Sequence, residues 1–145
     1  MNQRTWSDAA EGELIAPVKF PLPVYRLVVA AGAVRDFNSI HHNSEVAKAS
    51  GAPEMYSNTL FLQGMWERTV REYIGLAGTI RKISGFRMNS FNTAGSTVVV
   101  KGEVTRKWHE GSTGFAEIRV WSENDGRVSV GPGLVTVTLP TEPSK

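Results

Sequence analysis

Apolar side chains recur at helical spacing in one long segment near the middle of the chain. Between residues 58 and 74 they follow one another at intervals of three or four positions, which is the period of an α-helix with one buried face. These positions are Leu62, Met65, Trp66, Thr69 or Val70, and Tyr73. Asn58 is a suitable N-cap, Gly75 follows the last turn, and no proline interrupts the segment. The pattern therefore predicts one long amphipathic helix.

After this helix, apolar and polar residues alternate, as they do in strands with one buried face. The predicted strands cover residues 97–104, 115–121 and 134–139, and residues 79–91 are predicted as the first strand of the set. Glycine-containing turn signals separate them at residues 92–96, 110–114 and 124–126. The sequence thus predicts a four-stranded antiparallel meander.

The first 58 residues have a less regular pattern. Residues 1–20 are mixed and polar, and the prolines that follow from Pro17 predict an irregular arm or an edge segment. Residues 24–29 are rich in β-branched side chains and predict a short strand, whereas residues 30–39 fit a short helix or a turn. Residues 44–50 predict a short helix with Ser44 as N-cap, ended by Gly51.

A long amphipathic helix followed by a meander packs most simply when the sheet curls around the helix and buries its apolar stripe. We therefore predict an α+β protein with a single hot-dog-like domain at residues 21–140, an arm at 1–20 and a tail at 141–145. An open edge of such a sheet favours pairing with a second copy or a related chain.

Composition narrows the function classes. The 145 residues contain 41% hydrophobic and 21% charged side chains, as expected for one globular domain. Cysteine is absent, which excludes disulfides and thiolate metal sites. We find no apolar run of about 18 residues and no leader pattern, so the expectation is a cytoplasmic protein without a membrane partner. The net charge of +2 is dispersed, which makes a nucleic-acid-binding module an improbable alternative.

The stretch RDFNSIHHN, residues 35–43, concentrates acid–base side chains. Asp36 and His41 are the candidate catalytic pair, because a carboxylate and an imidazole can hold one water and exchange protons with it. The alternative is a polar turn, since Asp and Asn between two segments commonly form turns and caps. A metal site is not expected: neighbouring histidines seldom point both rings at one ion, and a third ligand is not evident.

The same stretch resembles a known family. Residues 36–41, D-F-N-S-I-H, resemble the D-x-N-P-[LIV]-H core of the MaoC-like dehydratases, also called (R)-specific enoyl-CoA hydratases. Residues 95–107 and 133–140 resemble two later strands of that family, and the resemblance covers about residues 24–140. Within the family, the pattern is similar to that of the small subunit of heteromeric enoyl-CoA hydratases from bacterial steroid side-chain degradation. In those enzymes this subunit has the catalytic Asp and His.

The resemblance implies roles for individual residues. Asp36 and His41 would activate water, and Asn38 would hold the loop. Asn58 and Thr59 stand where the family has His-Gly, and the backbone N–H of Thr59 would bind the thioester oxygen. Candidates for the phosphates of CoA are Arg87, Lys101 and Arg106. The chain departs from the family at two other positions: Arg35 replaces a glycine and Ser39 replaces a proline.

The implied reaction is reversible syn hydration of trans-2-enoyl-CoA to (R)-3-hydroxyacyl-CoA. It needs an acyl-CoA substrate but no separate cofactor and no metal, in a homodimer or in a heteromer with a second MaoC-like chain. Two alternatives remain open. One is a non-catalytic MaoC-like partner subunit, and the other is a hot-dog acyl-CoA thioesterase with Glu67 on the long helix as its carboxylate.

Overall fold

The structure is a computed structural model that describes residues 3–141. Its strands are β1 (Leu14–Pro21), β2 (Thr79–Ser84), β3 (Thr97–Glu110), β4 (Thr113–Asn124) and β5 (Arg127–Leu139), and its helices are α1 (Val24–Ala33), α2 (Ser44–Ala49) and α3 (Thr59–Ile74). A short 3₁₀ turn, Ser39–His41, precedes α2. Of the predicted tail, all but residue 141 lies outside the described residues.

The five strands form one antiparallel sheet in the order β1-β3-β4-β5-β2. Strands β3, β4 and β5 are successive hairpins, so the predicted meander is correct for these three. The prediction was wrong for β2, which ends at Ser84 and pairs with β5 at the far edge instead of with β3. The residues of this strand, TIRKIS, contain no information about which neighbouring strand it pairs with.

Helix α3 supplies the centre of the core. Its predicted apolar stripe is buried from Leu62 to Val70, Tyr73 at its end is half-buried, and Trp66 is completely enclosed. The inward valines of β3, including Val98 and Val100, face it with no exposed surface. Asn58 caps the helix and Gly75 ends it, as predicted. The curved sheet around this helix confirms the predicted hot-dog architecture.

Two predictions for the N-terminal part need correction. Residues 14–20 form the greater part of edge strand β1, which agrees with the edge segment that was predicted as the alternative to an irregular arm, but the domain therefore begins before residue 21. Residues 24–29 are not a strand but the first part of α1. Only Leu27 and Ala31 of that helix are buried, four residues apart, which is the spacing of one helical face. The β-branched side chains that suggested a strand are mostly exposed, so burial and not β-propensity decided the structure.

Helix α2 forms where it was predicted, although its N-cap is Asn43 and not Ser44. The Asn43 side chain accepts hydrogen bonds from the N–H groups of Glu45 and Val46. Within residues 3–141, no helix combines the length and the apolar character that crossing a membrane requires.

Candidate active site

Asp36 is placed by the way α1 ends. The N–H of Asp36 donates to the Ala31 carbonyl at 2.9 Å, and that of Arg35 donates to the Gly32 carbonyl at 3.1 Å. This pair of bonds is a Schellman motif, which requires a left-handed residue just beyond the helix. Arg35 takes that role with a φ of 56°. The glycine that the family has at this position would adopt the same backbone without steric strain.

His41 lies at the end of the 3₁₀ turn with only 6% of its surface exposed. Its Nδ1 is 2.8 Å from the backbone carbonyl oxygen of Tyr56. Because a carbonyl oxygen only accepts hydrogen bonds, Nδ1 must carry the hydrogen. The other ring nitrogen, Nε2, is therefore the one that can exchange a proton, and it lies 3.1 Å from Oδ2 of Asp36.

The contact between Asp36 and His41 limits which protons the two side chains can carry. An ionised carboxylate only accepts hydrogen bonds, and a neutral imidazole with hydrogen on Nδ1 has a lone pair on Nε2. A hydrogen bond across this 3.1 Å contact therefore needs one proton, carried either by Nε2 or by the carboxyl group. The two side chains, called the dyad below, are thus positioned to share a single proton. The carboxylate is 37% exposed and the imidazole 7%, so the dyad opens to solvent on the carboxylate side.

Asn38 orders the chain between the two members of the dyad. Its N–H donates to Asp36 Oδ1 at 3.4 Å, and its side-chain oxygen accepts from the N–H of Ile40 at 3.2 Å. These bonds fix the start of the 3₁₀ turn that presents His41. The loop-holding role that the sequence suggested for Asn38 is therefore consistent with its contacts.

The start of α3 offers a hydrogen-bond donor close to the same loop. Asn58 accepts from the N–H of Phe61 at 2.8 Å, while its own NH₂ group is buried and has no acceptor among residues 3–141. Its side chain therefore acts as a cap. Thr59 is exposed, and within the same range its N–H has no acceptor. A free N–H at the positive end of a 16-residue helix is suited to bind a partly negative oxygen.

Residues that the sequence did not indicate connect the dyad to this helix. Tyr56 holds His41 through its carbonyl group, and its ring meets the His41 ring edge-on at 5.5 Å. On its other side the Tyr56 ring contacts Phe91, with centroids 4.7 Å apart. The Sδ atom of Met88 lies 4.0 Å from the Thr59 hydroxyl. A backbone carbonyl acts regardless of its side chain, so no sequence signal could have identified Tyr56 in this role.

The three predicted phosphate ligands are not brought together. Lys101 is bound to Glu123 at 2.6 Å, and the guanidinium of Arg106 stacks on the Trp108 ring at 4.6 Å. Arg87 is exposed and immediately precedes Met88, so of the three it has the clearest link to Thr59. Their role in binding CoA stays a prediction.

An apolar cleft of about 510 Å³ lies between α1 and the first turns of α3. On the α1 side it reaches Val34, two residues before Asp36, and on the α3 side it reaches Leu60, next to Thr59. Its other lining residues include Phe20, Tyr25, Val29 and Phe61. The cleft therefore includes residues that are close along the chain to Asp36 and Thr59, and it runs along exposed apolar side chains of α1.

A second cavity, of about 640 Å³, lies towards the other end of α3 and is lined by polar residues that include Arg4, Glu13 and Tyr73. Here the Tyr73 hydroxyl donates to Glu13 at 2.8 Å, and Arg4 is bonded to Glu13. Burial, reinforced by the bond to Glu13, raises the pKa of Tyr73. These groups satisfy one another and make no contact with the dyad.

Glu54 stabilises the turn that leads to Tyr56. Hydrogen bonds from the Ser44 hydroxyl, the Met55 N–H and Lys48 lower the pKa of Glu54 to about 2. The carboxylate's contribution to stability is therefore fully present above pH 4.5, its ordinary pKa, and is lost as the pH falls towards 2. Glu67, the carboxylate that a thioesterase would use, lies on the exposed side of α3 and accepts a hydrogen bond from Gln63 at 2.9 Å.

Comparison with known proteins adds to this geometry. No model of a known protein family matches the chain. The β subunit of 3-oxo-4,17-pregnadiene-20-carboxyl-CoA hydratase from Mycobacterium tuberculosis is 35% identical over 79 residues, which are 54% of this chain and 60% of that relative. The chain thus matches less than two thirds of that relative's length.

Solved structures match over more of the chain. A chain of the ChsH1-ChsH2 complex from M. tuberculosis has a TM-score of 0.81 at 27% identity, covering 90% of this chain and 98% of the other. R-hydratase PhaJ1 from Pseudomonas aeruginosa has a TM-score of 0.78 at 17% identity, with 95% and 86% covered. A MaoC-like dehydratase from Rhodospirillum rubrum has a TM-score of 0.83 at 14% identity, with 97% and 99% covered. The last two show likeness of fold alone.

The five-stranded sheet curved around α3 makes this chain a hot-dog protein. Its structural neighbours include MaoC-like dehydratases and R-hydratases, and the curated relative is a CoA-thioester hydratase subunit, which confirms the resemblance read from the sequence. The chain thus resembles MaoC-like hot-dog proteins whose names place them in the hydratase and dehydratase class.

Proposed function

We propose that this chain is the dyad-bearing subunit of a hydratase that reversibly converts trans-2-enoyl-CoA thioesters to (R)-3-hydroxyacyl-CoA. The observation that carries the proposal is the 3.1 Å contact between His41 Nε2 and Asp36 Oδ2, at the solvent-facing end of a buried, tautomer-fixed imidazole. A dyad with one shared proton can take a proton from water and give one to carbon in the same event.

The proposed reaction balances without an outside proton source. A water held by the dyad bonds through its oxygen to C3 of the enoyl group, and one of its protons passes to the dyad. The proton that the dyad already held goes to C2 on the same face, which makes the addition syn. Afterwards the dyad again holds one proton, and the balance is the same whichever of Asp36 and His41 accepts and whichever donates.

Thr59 would stabilise the charge that develops on the thioester oxygen. Thr59 is an exposed residue at the N-terminus of α3, and its N–H has no acceptor within residues 3–141. A pre-oriented backbone donor at such a position is a strong form of transition-state stabilisation, since no solvent must reorganise during the reaction. The thioester itself acidifies C2, so this mechanism uses neither a metal nor a further cofactor.

The acyl group would lie in the cleft between α1 and α3. Its volume of about 510 Å³ and its apolar lining suit a bulky acyl group better than a short one. The relative's name specifies a pregnadiene carboxyl-CoA as that protein's substrate. We therefore propose that this chain acts on a large, polycyclic acyl-CoA.

We further infer that the active form is an assembly with a second MaoC-like chain. The curated relative is a β subunit, and the ChsH1-ChsH2 neighbour is a complex. In this chain, both β1 and β2 are edge strands that could accept a partner. The names of the curated relative and of the ChsH1-ChsH2 complex are also compatible with the alternative that the chain is a non-catalytic partner. The dyad favours the catalytic role, because a structural subunit has no chemical need for a shared proton.

The test is a hydration assay that follows loss of the conjugated enoyl thioester absorbance. Crotonyl-CoA and 3-oxo-4,17-pregnadiene-20-carboxyl-CoA would be given to the chain alone and to the chain purified with a second MaoC-like subunit. In the active form, we expect Asp36→Asn and His41→Ala to lower kcat by at least about 100-fold, because each removes one proton carrier.

His42→Ala is the matched control, since His42 is an exposed neighbouring histidine outside the dyad. It should keep the wild-type rate, and all variants should keep the wild-type circular dichroism spectrum. Unchanged turnover in Asp36→Asn would rule out the dyad mechanism. Turnover that depends on the second chain's residues and not on His41 would assign this chain the non-catalytic role.

A further inference from the structure

A buried pair of asparagine side chains lies behind the turn that holds the dyad. The Nδ2 atom of Asn124, at the end of β4, donates to Oδ1 of Asn92 at 3.1 Å and to the Ser96 hydroxyl at 2.8 Å. Asn92 is 1% exposed and Asn124 is 9% exposed. The pair therefore links the sheet to the segment between β2 and β3.

This amide pair does not use its full hydrogen-bonding capacity. Among residues 3–141, the Nδ2 atom of Asn92 and the Oδ1 atom of Asn124 are buried without a partner. Buried polar groups that lack a partner cost free energy, and two apolar side chains of the same size would avoid that cost. A buried polar link of this kind fixes the relative positions of the two segments that it joins.

The segment that Asn92 anchors runs alongside the residues that hold His41. The Asn92 carbonyl accepts from the N–H of Ser57 at 2.9 Å, Thr93 forms an isolated antiparallel bridge with Tyr56, and the N–H of Ala94 donates to the Met55 carbonyl at 2.9 Å. Residues 92–94 thus act as a short backing strand for residues 55–57.

Through this backing strand, the amide pair can affect the position of the Tyr56 carbonyl and so the orientation of His41. The carbonyl of Tyr56 fixes hydrogen on Nδ1 of His41 and so leaves Nε2 to face Asp36. A small displacement of that carbonyl would free the ring to take the other tautomer or to turn. The same residues lead directly into Asn58 and Thr59, so the donor at the start of α3 depends on the same backing.

We infer that Asn92 and Asn124 are positioning residues for the dyad: they anchor residues 92–94, which hold the Tyr56 carbonyl against His41. The inference rests on the proposed function for its kinetic part, but its structural part can be tested without turnover. The pair acts through other residues and does not touch the substrate.

The experiment uses the full chain and the double substitution Asn92→Leu with Asn124→Leu, since leucine matches asparagine closely in shape. Asn124→Ala alone serves as the second variant, because it removes the partner of Asn92 and avoids an added large side chain. Thr69→Val is the matched control: Thr69 is 1% exposed and its hydroxyl bonds to Met65, away from the dyad. Two readouts are compared, the ¹⁵N chemical shifts of His41 and the kinetic constants of hydration.

We expect the ¹⁵N shifts of His41 in wild type and in Thr69→Val to show hydrogen fixed on Nδ1. In the double variant and in Asn124→Ala they should move towards a mixture of tautomers. The melting temperature of the double variant should stay the same or rise. Its kcat should fall about tenfold or more, as expected for a small misplacement of a catalytic group, while KM changes by less than about twofold.

Unchanged His41 shifts in both variants would overturn the inference, even if kcat fell. Altered shifts in a protein that hydrates no enoyl-CoA, alone or with a second chain, would support the positioning role and contradict the proposed function instead. A fall in kcat of the same size in Thr69→Val would show that any buried polar loss lowers the rate, and the inference would then be wrong.

Discussion

Trp66 and His41 are both buried, yet they are held in place by different forces. Trp66 has no exposed surface and is enclosed by α3 and the sheet, with one hydrogen bond from its ring N–H to the Ser122 hydroxyl at 2.8 Å. His41 is fixed by one backbone carbonyl and one carboxylate. The first arrangement is a matter of shape and apolar area, whereas the second depends on the direction of two hydrogen bonds.

This difference separates what stabilises the protein from what positions its chemistry. Apolar contacts around α3 provide most of the stability, since they remove large side chains from water. The turn of residues 35–43 contributes few such contacts, and five of its residues are exposed: Arg35, Phe37, Asn38, His42 and Asn43. Substitutions in the core should therefore change the free energy of unfolding, and substitutions at the site should change rates.

The largest effect should come from breaking the core. Trp66→Ala should lower the free energy of unfolding by about 3–5 kcal/mol, because it leaves a cavity between α3 and the sheet. It also removes the ring N–H that donates to the Ser122 hydroxyl. Chemical denaturation followed by circular dichroism measures this. Trp121→Ala is the control, since Trp121 is half-buried and on the outer side of β4. Equal losses in the two variants would contradict the central role of α3.

The next largest effect should be on kcat, with little change in the free energy of unfolding, and it concerns Thr59. Thr59→Pro removes the free N–H at the first position of α3, where proline is well tolerated in a helix. Asn58 already has the extended backbone, ψ 160°, that a following proline requires. If Thr59 binds the thioester oxygen, kcat should fall about 100- to 1,000-fold.

Thr59→Ala is the control for this experiment, because it removes the side chain and keeps the N–H. It should retain most of the wild-type kcat, and both variants should melt close to the wild-type temperature. If Thr59→Pro hydrates enoyl-CoA as fast as Thr59→Ala, the oxygen-binding role of this N–H is wrong.

The two regions also differ in how far the sequence predicts them. The period of apolar residues located α3 and the three hairpin strands, because burial on one face imposes that period directly. It failed for α1, where a β-branched run suggested a strand and two buried residues four apart decided for a helix. It also could not place β2, since pairing order depends on contacts distant in the sequence.

At the site, the sequence predicted the side chains that carry the chemistry but not the backbone groups that position them. Asp36 and His41 were selected by residue type, and the structure brings them to 3.1 Å. The Tyr56 carbonyl that fixes the tautomer, and the backing strand that Asn92 anchors, have no sequence pattern. Contacts of this kind depend on the path of the main chain, which only the folded structure reveals.

The smallest expected effect concerns Arg35, where backbone strain and catalytic function can be measured separately. Arg35 has the left-handed backbone that the Schellman motif demands, and a side chain there costs free energy that glycine does not. Arg35→Gly should therefore raise the free energy of unfolding by about 1 kcal/mol. Arg35→Ala should give no gain, because alanine must adopt the same φ.

Denaturant midpoints of these two variants measure the difference, and hydration kinetics complete it. Arg35 forms no ion pair with the other residues between 3 and 141, so glycine should leave kcat unchanged. A more stable protein with the wild-type rate would show that the strain is incidental to the chemistry. A more stable protein with a lower rate would show that the arginine side chain is needed beside Asp36. If glycine were no more stable than alanine, the Schellman motif would not constrain Asp36 as the structure indicates.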